Sequence, residues 1–133
     1  MLGLFTLLAA QAVTPTVDRH RNFAVTSGHW TYLKVGDTSY AQFGDGIATI
    51  TCDRQTRRLF FAFPGLGVTA NSIMISTTYG DRTLPVPTAI GAFDPLADEI
   101  AFTRGRILVA GEGRALVLPA SPVPARVVED CRI

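Results

Sequence analysis

Two cysteines constrain this chain more than any other feature. Cys52 and Cys131 stand 79 positions apart, the first inside a run of alternating apolar and polar residues and the second in the closing segment. Joined, they would tie the middle of the chain to its tail. On the chain-entropy account, closing a loop of that size stabilises a fold by roughly 4 to 5 kcal/mol, a large share of a small domain's net stability. An even pair of cysteines in a small exported domain is normally a disulfide, whereas a cytosolic origin would leave two buried thiols. The compartment therefore decides the chemistry of the pair.

Residues 1–12 bear on that compartment. They read Met-Leu-Gly-Leu-Phe-Thr-Leu-Leu-Ala-Ala-Gln-Ala, an apolar run ending in Ala10-Gln11-Ala12, the small-x-small pattern cut by signal peptidase. No basic leader precedes the run, and its rival reading is a buried first strand or helix. It is too short to span a bilayer, and no cysteine follows the cut to carry a lipid anchor. The expectation is a signal peptide at 1–12, a flexible tether at 13–28, and one β domain at 29–133. The mature protein is then periplasmic or secreted, with no transmembrane segment.

At 133 residues, 47% hydrophobic and 17% charged, the chain suits a single core. Twelve basic residues against eleven acidic leave a formal charge of +1, too weak a field to argue for nucleic acid or an anionic membrane. All the basic residues except Lys34 are arginine. Two isolated cysteines with the scattered His20 and His29 make no zinc ligand set, and neither a metal nor an organic cofactor is expected.

From His29 onward, short apolar-rich runs separated by turn residues signal antiparallel β structure. Expected strands cover 30–35, closed by Gly36-Asp37, then 39–43, ended by Gly44-Asp45-Gly46, then 47–52. In the last of these Ala48, Ile50 and Cys52 share one face, so the cysteine points inward. The run 58–63 carries Leu59, Phe60, Phe61 and Phe63 and is apolar on both faces. It reads as a central strand covered on both sides, or as one whose second face meets a partner.

A strand at 72–79 turns at Gly80-Asp81 into 82–84, which Pro85 and Pro87 stop. One short helix is expected near 94–100, with Asp94 as N-cap, Pro95 in the first turn, and Asp98 and Glu99 near its positive end. A hairpin of 104–110 and 114–118 around Gly111-Glu112-Gly113 follows, 119–124 is read as a proline-spaced connection, and 125–132 as the closing strand. About eight short strands and one helix predict an all-β antiparallel sandwich or small barrel.

As a strand, 125–132 would bury an acid whichever way it turned, since Val127, Glu129 and Cys131 share one face and Val128 and Asp130 the other. A bulge near Glu129 would resolve this, and so would a structural ion pair of Glu129 or Asp130 with arginine from Arg104-Gly105-Arg106, which is the favoured reading. No Gly-x-Ser-x-Gly, Ser-x-x-Lys or His-Glu-x-x-His motif occurs, and His29 has no nucleophile at recognisable spacing. The best recognition element is the stretch Phe102-Thr103-Arg104-Gly105-Arg106, with Thr103, Arg104 and Arg106 as binding residues, because guanidinium groups flanking a glycine present a forked donor set to a carboxylate or phosphate.

The segments Cys52-Asp53-Arg54, Asp94-Pro95-Leu96, Ile100-Ala101-Phe102-Thr103-Arg104-Gly105-Arg106, Leu116-Val117-Leu118-Pro119 and Arg126-Val127-Val128-Glu129-Asp130-Cys131-Arg132 resemble a group of small uncharacterised exported proteins of alphaproteobacteria. That likeness implies export but no activity. Gly91-Ala92-Phe93-Asp94 followed by Thr103-Arg104-Gly105 is similar in order to the two segments with which periplasmic inhibitors of C-type lysozyme, small antiparallel β barrels, enter the lysozyme cleft. Ile90 stands where that motif has serine, Phe93 follows Ala92 without the arginine, and arginine replaces lysine. The expected function is a noncatalytic periplasmic module binding a protein or envelope component. Inhibition of a wall-degrading hydrolase, or an enzyme with a scattered site, are the alternatives.

Overall fold

The computed structural model describes residues 24–67 and 71–133. The expected signal peptide and most of the tether lie outside the described residues. The strands are β1 (Trp30–Val35), β2 (Thr38–Phe43), β3 (Ala48–Asp53), β4 (Arg58–Ala62), β5 (Ser72–Thr77), β6 (Gly80–Pro85), β7 (Thr88–Gly91), β8 (Ile107–Gly111) and β9 (Arg114–Leu118). Helix α1 is Pro95–Phe102 and helix α2 is Pro122–Arg132, with a single 3-10 turn at Pro64–Leu66. Every pairing is antiparallel, in a five-stranded sheet of order β1-β2-β3-β4-β7 and a four-stranded sheet of order β6-β5-β8-β9. The described residues are therefore mostly β, with two open sheets and no closed barrel among them.

One apolar cluster joins the two sheets. Phe43, Ile50, Leu59 and Ile90 enter it from the first sheet, and Ile75, Leu84, Val109 and Leu118 from the second. The two-residue alternation produces this: in β3, Ala48, Ile50 and Cys52 are buried while Thr49, Thr51 and Asp53 are not. Strand β8 is buried on both faces, its outward Leu108 and Ala110 forming a second small cluster with Val117. Strand β4 instead buries one face only, and Phe60 on the other is 42% exposed.

Three expectations need correction. The closing segment is a helix rather than a strand. Pro124, Val127, Val128 and Cys131 are its buried residues, and their spacing of i, i+3, i+4, i+7 is that of one helical face. Ser121 caps it, accepting from Val123 N at 3.2 Å. Pro122 and Pro124 fit in the first turn, where the missing N–H groups have no intrahelical acceptor. Secondly, Pro85 and Pro87 end β6 as expected, but the chain goes on into a strand not expected from the sequence. They carry it from the second sheet to the first, where β7 pairs with β4 (Leu59↔Ile90, Phe60↔Ala89).

Thirdly, the β5–β6 turn is Thr78-Tyr79 rather than Gly80-Asp81, with Thr77 opposite Gly80. Tyr79 thereby leaves the strand and stands at the hairpin tip. The described end of the tether lies along β9: Thr26 N donates to Val117 O at 2.8 Å, and Val117 N donates to Thr26 Oγ1 at 3.1 Å.

Candidate binding surface

Helix α1 is fixed to the β5–β6 hairpin at both of its ends. At the N-terminus Asp94 accepts from Leu96 N at 2.9 Å, and its carboxylate takes both guanidinium nitrogens of Arg82 on β6, one of them at 3.0 Å. The Arg82 guanidinium, helped by the Leu96 N–H, holds the Asp94 carboxyl below its ordinary range against the opposing effect of burial. At the C-terminus the Thr103 hydroxyl accepts from Thr78 N at 3.2 Å and meets the Thr78 hydroxyl at 3.2 Å. The Tyr79 hydroxyl donates to Phe102 O at 3.2 Å, satisfying one of the helix's terminal carbonyls. Tyr79 N donates to Thr77 Oγ1 at 3.1 Å, which fixes the tip itself.

These bonds hold two aromatic rings in water. Tyr79 is 57% exposed and Phe102 61% exposed. With Asp98 and Glu99 they line a shallow cleft of about 180 Å³. Arg104 follows within two residues and is exposed, making no ion pair among the described residues. Arg106 is exposed and, with Ser76, Thr77, Thr78 and Leu108, lines an adjoining cleft of about 190 Å³.

The three residues singled out in the sequence thus come together, but in different roles. Thr103 is only 8% exposed and its hydroxyl is spent on Thr78, so it positions the loop. Arg104 and Arg106 present charge. Phe102 stood in the recognition stretch read from the sequence, whereas Tyr79 was missed as a surface anchor because it was read as the last residue of the 72–79 strand. The sequence signal was the Thr78-Tyr79-Gly80 step, where glycine opens β6 at φ 139°.

The remaining site residues are structural. The sulfurs of Cys52 and Cys131 stand at bonding distance, 2.05 Å, joining β3 to α2. Glu129 is exposed on α2, and Asp130 accepts a hydrogen bond from the Tyr32 hydroxyl on β1 at 2.5 Å. The expected pairing of these acids with the 104–106 arginines is therefore corrected. Helical geometry turns Glu129 to solvent and brings Asp130 to Tyr32. That bond, with burial as the smaller cause, raises the Tyr32 hydroxyl above its ordinary pKa, and the Arg126 guanidinium lies 3.9 Å from the ring centroid. Helix α2 is further joined to α1 by Arg132 to Asp98 at 2.8 Å.

The two segments compared with the lysozyme inhibitors, 91–94 and 103–105, fall at opposite ends of α1, with Asp94 committed to the cap and to Arg82. At the end of the sandwich beyond β4, a cleft of about 260 Å³ is lined by Phe61, Phe63, Leu66, Ile73, Val86 and Pro87. Its hydroxyl, on Thr88, already donates to Pro85 O at 2.8 Å. Among the described residues, no three His, Cys, Asp or Glu side chains gather into a metal-binding group, and no helix is long and apolar enough to cross a membrane. No family model, no curated protein and no solved structure matches this chain.

Proposed function

We propose that this chain is an exported, noncatalytic binding module that recognises a protein of the cell envelope through the Tyr79, Phe102 and Arg104 surface. The observation that carries this reading is the pair of exposed rings, one at the β5–β6 tip and one at the end of α1, with the exposed Arg104 two residues further along the chain, held by bonds between Thr78 and Thr103 and between Tyr79 and Phe102. Aromatic and arginine side chains dominate interface hot spots, and presenting them already ordered lowers the entropic cost of association. The cleft between the rings accepts an apolar side chain, while Arg104 offers paired donors to a carboxylate on the same partner. The Cys52–Cys131 bond supports export, since such bonds persist in oxidising compartments.

A photoreactive phenylalanine analogue at Phe102 tests the surface in living cells. It is expected to yield one envelope-protein adduct that disappears when Arg104→Ala is added, whereas the same analogue at Phe60, on the outer face of β4, yields none. No adduct at Phe102, or the same adduct from Phe60, overturns the assignment. Non-reducing mass spectrometry of the native protein checks export: no free thiol and a first residue beyond Ala12 are expected.

A further inference from the structure

The geometry points to a second recognition surface, the free edge of β1, whose partner is β1 of a second copy of this chain. Four strands end the two sheets, and three of them are guarded. Thr26 bonds to the outer side of β9. Strand β7 is four residues long, and β6 carries Asp81, Arg82 and Pro85. Short length, charge and proline are the usual protections of an edge. Strand β1 is six residues long, has no proline, and exposes Leu33 (59%) and Val35 (60%).

The hairpin fixes which backbone groups are free. Val35 faces Thr38 across the two-residue turn Gly36-Asp37, and Gly44 N donates to His29 O at 3.1 Å. In an antiparallel ladder bonded pairs recur at every second residue, so Val35, Leu33 and Thr31 spend their N–H and C=O groups on β2. Those of Tyr32 and Lys34 point away from the sheet, with no backbone partner among the described residues.

A two-fold axis must bring β1 against itself antiparallel. With Leu33 on the axis, Tyr32 and Lys34 exchange both of their backbone bonds with Lys34 and Tyr32 of the other copy, four bonds in all. On the outer face Leu33 meets its twin and Val35 meets Thr31. Leu33, Tyr40, Thr51, Phe60 and Ala89 already lie in one row across the first sheet. The same register makes that row continuous over ten strands.

Lys34 is the one charge on the strand, and lysine on an edge ordinarily discourages pairing. In this register it has an acid to face. It lands beside the other copy's Tyr32, whose hydroxyl is bonded to the Asp130 carboxylate and whose ring centroid lies 3.9 Å from the Arg126 guanidinium. Each copy thus supplies the cation that faces its partner's anion, which satisfies the self-complementarity a two-fold contact demands.

Sedimentation of the oxidised protein is expected to show a dimer. Lys34→Pro removes an N–H that only the second copy uses, so it should give a monomer with unchanged far-UV ellipticity. Should that variant fail to fold, Val35→Glu, which places acids on an exposed position, is expected to do the same. Leu33→Cys sits on the axis, where facing Cα atoms of a non-bonded antiparallel pair lie about 4.5 Å apart, within disulfide reach. It should cross-link to its own copy in air. In Val35→Cys the two thiols would be about 13 Å apart along the strands, and no cross-link should form. A monomer at every concentration, a dimer that survives Lys34→Pro or Val35→Glu, or equal cross-linking at 33 and 35 each overturns the inference.

Discussion

Asp94 does two jobs with one carboxylate, and they can be separated. It caps α1 through the Leu96 N–H and it pairs with Arg82 of the neighbouring hairpin. Asp94→Ala removes both and should cost about 0.5 to 2 kcal/mol, the usual range for a lost cap, whereas Asp94→Asn keeps the cap and loses the charge. Because Arg82 lowers the folded-state pKa of Asp94, the stability from the charge is present above the unfolded carboxylate value of about 4 and lost as the pH falls through the lowered folded value. Denaturation across pH should show wild type exceeding Asp94→Asn at neutrality, with the gap closing below about pH 4. A gap independent of pH would show that the ion pair contributes nothing. Tyr32 has the opposite sign. Its pKa is raised by the bond to Asp130, so the contribution is present below the ordinary tyrosine value of about 10 and is lost as the pH rises through the raised one. Tyr32→Phe, expected to cost about 1 kcal/mol at neutral pH, should therefore match wild type in strong alkali.

Among the elements, α2 is where sequence reading and structure part, and the reason lies in particular residues. Strand alternation at 127–131 required a buried acid, a conflict the helix removes: Val127, Val128 and Cys131 turn inward and Glu129 outward. The spacing was legible, but Pro122 and Pro124 argued for a connection, because a proline's position in the first turn is known only once the cap at Ser121 is known. Strand β7 was hidden likewise. Four residues after two prolines carry little pattern, and only β4 lying alongside makes them a strand. By contrast β1 to β4 and α1 were readable, since each is bounded by its own turn or cap. The cysteine pairing was readable as well, because two cysteines allow one pairing. The recognition surface was half legible: Phe102 and the arginines lay in one stretch that stood out by chemistry, while the exposure of Tyr79 depends on a hairpin register two residues away from the apparent one. The helix assignment makes a direct prediction. Val127→Ala should cost about 2 kcal/mol as a cavity in a closed interior, and Glu129→Val should change stability by less than about 0.5 kcal/mol. A strand at 125–132 would make both positions comparably sensitive, and chemical denaturation of the two variants separates the cases.

At the scale of the molecule, the two sheets share one apolar cluster, and α2 is tied through Cys131 to the five-stranded sheet. Neither sheet has an independent core of any size, since the second cluster comprises only Leu108, Ala110 and Val117 with partly buried neighbours. Unfolding should therefore be a single cooperative event. The chain has one tryptophan placed to report it. Trp30 belongs to the first sheet, meets Phe43 edge-on at 5.4 Å, and donates from Nε1 to Pro119 O, just past the end of the second sheet, at 2.9 Å. Separation of the sheets must break that bond and wet the ring, whereas loss of strands alone would register only in far-UV ellipticity. In guanidinium chloride the two signals are expected to superimpose. Replacing both Cys52 and Cys131 by alanine should lower the midpoint by the equivalent of roughly 4 to 5 kcal/mol, because the unfolded chain regains the freedom of the 79-residue separation, yet the signals should still coincide. If tryptophan emission moved at lower denaturant than ellipticity in the cysteine-free variant, the bond rather than the shared interior would be what makes one cooperative unit of two sheets.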